Sequence, residues 1–204
     1  MEIFIGRQPI FNTNEQVYSY ELLYRNGIEN NAFPDIDSDI ATVELIINSF
    51  LSIGFEELSN GKPCFINFTE NLLMNDIMEQ LNPSQVVIEI LEDVPITKGL
   101  IKRVKELKAK GYRIALDDFI MQEDSSIYND LFPYIDIIKV DFIISSVDER
   151  EKIENRIKKL FPHIILLAEK VETMEQYIDA IQRGYKLFQG YFFTKPQIIR
   201  ANDI

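Results

Sequence analysis

The chain has 204 residues, 46% of them hydrophobic, enough to bury one substantial core and with no sign of a second. Its 33 acidic and 21 basic residues leave a net charge of -12, which argues against a polymeric nucleic acid as partner and means that a small anionic ligand needs cations to mediate its approach. Cys64 is the only cysteine, so a disulfide within the chain is excluded and a reducing cytoplasm is the expected compartment. The opening "MEIFIGRQPIF" is broken by Arg7 and Pro9, and no run approaches the length of a membrane span.

Short apolar runs alternate with amphipathic segments along the chain. In order they are "IFIGRQPIF", "QVYSYELLYR", a helical stretch through "IATVELIINSFLSIG", "CFINFT", a short helix through "NLLMNDIMEQL", and "VVIEILE". Then come "TKGLIKRVKELKAKG", "YRIALDDF", a short helix near "SIYNDLF", "IDIIKVDF", "DEREKIENRIKKLF", "IILLAEKV", "TMEQYIDAIQRG" and "KLFQGYFF". Runs rich in Ile, Val, Phe and Tyr, separated by helical periodicity, predict βα units around a parallel sheet. Gly111 and Gly184 each follow a charged amphipathic segment, as helix stops do.

Eight strand-like runs predict an α/β fold, a modified (β/α)8 TIM-like barrel. Its first two runs have no helix between them and are expected to pair antiparallel. An open doubly wound sheet is the alternative, and it leaves eight strands to be covered by six helices. No helix-length segment follows "FQGYFFTKP", so the edge beside the last strand is expected to be partly uncovered.

Most of these runs carry a polar residue late in apolar sequence: Glu21, Asn67, Glu89, Asp117 with Asp118, Lys139, Glu169 and Gln189. In a parallel barrel they converge at the C-terminal mouth, where such enzymes build their chemistry. Buried carboxylates in that number repel one another and lose hydration, and one lysine cannot neutralise them. Hard oxygen donors without His or Cys suit Mg2+ or Mn2+ rather than zinc. Adjacent aspartates can serve two ions, an arrangement used to split phosphodiesters.

The ordered set "QPI", "YELLYR", "FINFT", "EILE", "LDDF", "IKVD", "AEKVET" and "FQGYFFTKP" resembles the EAL domain, a bacterial signalling family that hydrolyses cyclic di-GMP to linear pGpG. The "RQPIF" start and the "AEKVET" form are most similar to EAL domains that precede an HDOD domain. The resemblance implies one EAL-type barrel domain over 1–204, with the C-terminal HDOD-type partner absent, and cyclic di-GMP as ligand. It also implies one or two Mg2+ or Mn2+ ions and a homodimer.

By the same resemblance Glu21, Asn67 and Glu89 ligate the first metal, Asp117 bridges and Asp118 holds the second. Lys139 and Glu169 position and deprotonate the attacking water. Arg25 grips a substrate phosphate, Gln8 and Gln189 line the substrate site, and Glu92 and Glu172 order the loop after the paired aspartates.

Active members usually continue those aspartates into "DFGTGYSSL", whereas this chain reads "DFIMQEDSSIYNDL". Both glycines are lost, and with them cheap access to positive φ. Lys170 stands at the usual glycine of "AEGVE". The intact ligand set favours a phosphodiesterase, and the altered loop favours a receptor or interaction module that binds without turnover. Taken singly, Asp117 and Asp118 read as a helix-capping strand exit, and Lys139 as a structural partner of Asp141. His163 and Cys64 read as structural, and "KRVKELKAK" as a solvated helix face.

Overall fold

The computed structural model describes residues 4–25, 39, 54–75, 81–121 and 126–200, with the side chains of Phe4, Tyr24, Arg25 and Arg200 outside that set. Strands β1 (Phe4–Asn12) and β2 (Val17–Arg25) form an antiparallel hairpin. Its turn is made by Asn12, whose Oδ1 accepts from the backbone N–H groups of Asn14 at 2.9 Å and Gln16 at 3.1 Å. From β2 onward the strands run parallel and in chain order: β3 (Cys64–Phe68), β4 (Val86–Ile90), β5 (Arg113–Leu116), β6 (Ile137–Asp141), β7 (Ile165–Glu169) and β8 (Leu187–Phe188). β8 returns antiparallel to β1, pairing Phe11 with Phe188, and closes an eight-stranded barrel. The expected antiparallel first pair and barrel closure are both present.

The connections carry α1 (Phe55–Ser59), α2 (Glu70–Leu73), α3 (Lys98–Ala109), α4 (Tyr128–Leu131), α5 (Val147–Leu160) and α6 (Met174–Arg183). Their ends follow local chemistry. Thr97 caps α3 through the Leu100 N–H, Ser146 with Glu149 and Thr173 with Gln176 form capping boxes on α5 and α6, and Gly184 closes α6 at φ 103. The expected helix through "IATVELIINSFLSIG" lies outside the described residues apart from Gly54, and that through "NLLMNDIMEQL" is described only at its start and at Leu81.

A ninth strand that the sequence reading did not include, β9 (Gln197–Arg200), pairs antiparallel with the first half of β1. Arg7 fastens this corner, donating to Gln197 Oε1 at 3.1 Å and to the Leu58 carbonyl at 2.6 Å.

Two apolar regions follow from the period-two alternation of strands. Outward residues such as Ile66, Ile88, Ile114, Ile138 and Leu166 pack with the helices in one large core. Inward residues Ile10, Phe65, Val87, Ala115, Ile137, Leu167 and Leu187 fill the barrel as a separate buried layer. That layer is a floor, and the inward residues two positions further along each parallel strand stand above it.

Candidate functional site

Two residues beyond the floor positions Phe65, Val87, Ala115, Ile137, Leu167 and Leu187 come Asn67, Glu89, Asp117, Lys139, Glu169 and Gln189. The hairpin completes the layer: β1 runs the opposite way, so Gln8 lies two residues before Ile10, and it sits opposite Glu21 of β2. Except for Glu89, buried beneath, these residues line one cavity of about 380 Å³, together with Asp118, Lys170, Glu172 and an apolar rim that includes Ile143 and Tyr191.

The adjacent aspartates owe their shared direction to the backbone. Successive strand residues point to opposite faces, so a regular strand would send Asp118 away from the mouth. Instead Asp117 N–H bonds the Ile90 carbonyl at 2.9 Å, Phe119 N–H bonds the Lys139 carbonyl at 3.1 Å, and Asp118 between them adopts φ 37. Aspartate tolerates this left-handed conformation better than most residues. Both carboxylates, with Glu169, then offer oxygens within 4.8 Å of one another.

Lys139, 1% exposed, is the hub of the layer. Its Nζ lies 2.8 Å from Asp117 Oδ1, 2.9 Å from Glu169 Oε1 and 3.6 Å from Glu21 Oε1, and it also contacts Glu89. Gln189 Nε2 donates to Glu21 Oε2 at 2.5 Å and fixes that carboxylate from the closing strand. Burial pushes the Glu89 and Glu169 carboxyls well above the usual range, against the pull of Lys139 and with the neighbouring acids adding to the rise. Asp117 is also desolvated, but the charge and hydrogen bond of Lys139 prevail and hold it below the ordinary value. Burial alone would lower the Lys139 pKa; the facing charges of Glu169, Glu21, Glu89 and Asp117 raise it well above normal. The pairing of Lys139 with Asp141 suggested by "IKVD" is therefore replaced by pairing across the barrel.

Asp141 has a different partner from the one that "IKVD" suggests. Its Oδ1 accepts from the backbone N–H groups of Ile143 at 2.6 Å and Ile144 at 2.9 Å, and its Oδ2 meets the ammonium of Lys170. Lys170 Nζ also lies 3.3 Å from Asp118 Oδ2. Burial works to lower the Lys170 pKa, but its bond to Asp141 and the charges of Asp118, Asp141 and Glu169 raise it. The signal for Asp141 was available, since it follows Lys139 by two residues and so shares its face.

Of the remaining expected residues, Glu172 is exposed at the mouth, and its backbone N–H donates to Gln176 Oε1 at 2.7 Å. Glu92 lies outside the mouth and lines a neighbouring cavity with Asp117, Asp118, Phe119 and Ile120, beside the start of the loop it was expected to order. Arg25 ends β2, and its side chain falls outside the described residues, as do residues 122–125 of the altered loop. His163 contacts the Phe132 carbonyl at 3.2 Å, away from the carboxylates.

The donor set fits a hard divalent cation. It is oxygen-only and dense in carboxylate, and the buried atoms Asp118 Oδ1, Glu169 Oε2, Glu89 Oε2 and Gln189 Oε1 have no hydrogen-bond partner among the described residues.

A family profile described as the EAL domain matches residues 3–196. The chain is 51% identical over 206 residues to the uncharacterized protein YuxH of Bacillus subtilis, a match covering 100% of this chain and 50% of the relative. It is 38% identical over 207 residues to the cyclic di-GMP phosphodiesterase CdgJ of Vibrio cholerae, covering 98% of this chain and 46% of the relative. The chain thus spans about half the length of these curated relatives. Among solved structures, the manganese and cyclic di-GMP complex of Klebsiella pneumoniae BlrP1 superposes with a TM-score of 0.73 at 23% identity, covering 98% of this chain and 60% of that one.

Proposed function

The chain belongs to the EAL domain family, and from that membership we propose that it hydrolyses cyclic di-GMP to linear pGpG with the help of one or two divalent cations, Mg2+ or Mn2+. The observation that carries the reading is the ring of Gln8, Glu21, Asn67, Glu89, Asp117, Lys139, Glu169 and Gln189 above the barrel floor, with Asp118 turned into the same mouth. Glu21, Asn67, Glu89, Asp117 and Asp118 would hold the cations, which supply charge neutralisation for the phosphate and a more acidic water.

The side chains divide the remaining work. Glu169, 6% exposed, lines the mouth beside Asp117 and Asp118 with one carboxylate oxygen lacking a hydrogen-bond partner among the described residues, and is suited to accept the proton of the attacking water. Lys139 balances charge as water adds to phosphorus and the bond to the 3′ oxygen breaks, leaving a 5′ phosphate and a 3′ hydroxyl. Gln189 keeps Glu21 in place, Arg25 and Gln8 engage the dinucleotide, and Ile143 and Tyr191 supply an apolar rim for its bases. Incubation with cyclic di-GMP and Mn2+ or Mg2+, followed by separation of the nucleotides, tests the proposal. Accumulation of pGpG supports it, and unchanged cyclic di-GMP at saturating metal refutes it.

A second reading is favoured by the segment from Phe119 to Ile127, which lacks both glycines usual in active members. On that reading the barrel binds cyclic di-GMP or a protein partner without turnover. Equilibrium binding on the same sample separates the two: retained binding without pGpG selects the receptor.

A further inference from the structure

Asp118 and Lys170 break the strand alternation in the same way, at φ 37 after Asp117 on the β5 end and φ 54 after Glu169 on the β7 end. Strand β6 lies between these ends, and its last residue, Asp141, faces both. The two left-handed residues meet there, Lys170 Nζ lying 3.3 Å from Asp118 Oδ2 and in contact with Asp141 Oδ2.

Asp141 cannot follow the ammonium, because two backbone N–H groups hold its other oxygen. Lys170 can move: its side chain is 44% exposed, against 3% for Asp141. On the far side of this ion pair Asp118 Oδ1 is buried without a hydrogen-bond partner, and Glu169 Oε2 is in the same state. A left-handed backbone is costly for lysine. The chain accepts that conformation where it delivers a positive charge to Asp118, a mouth carboxylate that Lys139 does not reach.

We propose that Lys170 is a tethered cation occupying the second cation position of the mouth, so that the barrel takes one divalent ion readily and admits a second only by displacing the Lys170 ammonium from Asp118. The inference rests on the metal-dependent reading above. An ammonium held by the chain needs no binding equilibrium, whereas an arriving ion must break the contacts to Asp118 and Asp141 and meet the repulsion of the nearby lysine. Lys170 thereby sets the metal requirement of the site, with Lys139 left free for its own ring of carboxylates.

The test is Mn2+ binding to the whole chain, read by calorimetry for stoichiometry and by electron paramagnetic resonance for coupling between paired ions. Wild type is expected to show one tight ion and a second weaker one, without the coupled signal at low metal. Lys170→Met should bind the second ion about tenfold more tightly and show the coupled signal, the scale expected for removing one nearby unit charge in a partly hydrated site. Lys170→Arg should behave as wild type. Lys170→Gly, which also removes the left-handed strain, should match Lys170→Met and guards against a folding defect in either. Two equal ions in wild type, or a Lys170→Met isotherm indistinguishable from it, overturn the tethered-cation role and leave the phosphodiesterase reading standing. Absence of Mn2+ binding in all four proteins overturns both.

Discussion

Replacing Lys139 by methionine keeps a side chain of similar length in a fully buried slot and removes only its charge. The wild-type ammonium faces Asp117 at 2.8 Å, Glu169 at 2.9 Å and Glu21 at 3.6 Å, with Glu89 also in contact. Each such contact is worth roughly 5 kcal/mol of gross attraction at an effective dielectric near 20. Most of that gross value offsets desolvation, and removal of one partner from a buried charge cluster costs about 3–5 kcal/mol net. Glu89 and Glu169 already have raised pKa values and can take up protons, so the loss belongs at the lower end, about 3 kcal/mol. For a domain of this size that lowers the melting temperature by roughly 6–12 °C in chelator. A divalent ion replaces the lost charge, so saturating Mn2+ should raise the melting temperature of Lys139→Met more than that of wild type. The assay is thermal unfolding of both proteins with EDTA and with Mn2+. If Lys139→Met melts within about 2 °C of wild type in EDTA, or if Mn2+ shifts both equally, the carboxylates do not depend on Lys139.

Three further outcomes follow from the geometry. Glu21→Ala should lose Mn2+ binding and pGpG formation yet remain folded by circular dichroism, because a repulsive cluster loses one acid; unfolding would make Glu21 structural. Gly190→Ala places a Cβ 2.1 Å from the Val171 carbonyl oxygen and 2.3 Å from its nitrogen at φ 155. Because those backbone atoms are tied to Gln189 and Phe192, at least about 3 kcal/mol should be lost in urea unfolding; a loss under about 1 kcal/mol contradicts the packing. The Cys64 thiol is pushed up to about 12 by burial, while an unfolded cysteine ionises near 8.5. Its raised folded value contributes stability that is complete below about pH 8.5 and declines as pH rises towards 12. A disulfide reagent at pH 8 should label it only at the unfolding rate; rapid labelling of native protein counts against its burial.

The barrel was legible because one rule, period two, applies to both its floor and its mouth. Phe65 and Asn67, Val87 and Glu89, or Leu167 and Glu169 can be paired on a shared face without any coordinates. The antiparallel start was legible for a similar reason, since no helix fits between the first two runs. What escaped were departures from that rule. Nothing in "LDDF" or "AEKV" announces the left-handed turns at Asp118 and Lys170, which come from hydrogen bonds that flanking residues make to neighbouring strands. Asp141 was paired with the wrong lysine because Lys139, two residues earlier, offered a local partner, whereas the barrel gives Lys139 four carboxylates from other strands and Asp141 the ammonium of Lys170. Strand β9 was missed because a short "QIIR" segment carries little signal until β1 presents an edge to it.

Strand β1 imposes an order on self-assembly. Chain-adjacent pairing can bring Gln8 to Glu21 in the hairpin and gather Asn67, Glu89, Asp117, Lys139, Glu169 and Gln189 along the parallel strands early, but Gln189 reaches Glu21 only when Phe11 meets Phe188 from opposite ends of the chain. That closure is exceeded in sequence separation only by the β1–β9 pairing among the described strand pairs, and long-range pairing is slow because its entropy is lost before any contact rewards it. The carboxylates therefore gather before the amide that steadies Glu21, and until the sheet closes that carboxylate lacks its Gln189 donor. In refolding, secondary structure should form in an earlier phase than competence to bind Mn2+. Coincident phases would place the β1 and β8 seam among the first contacts made, reversing this sequence of events.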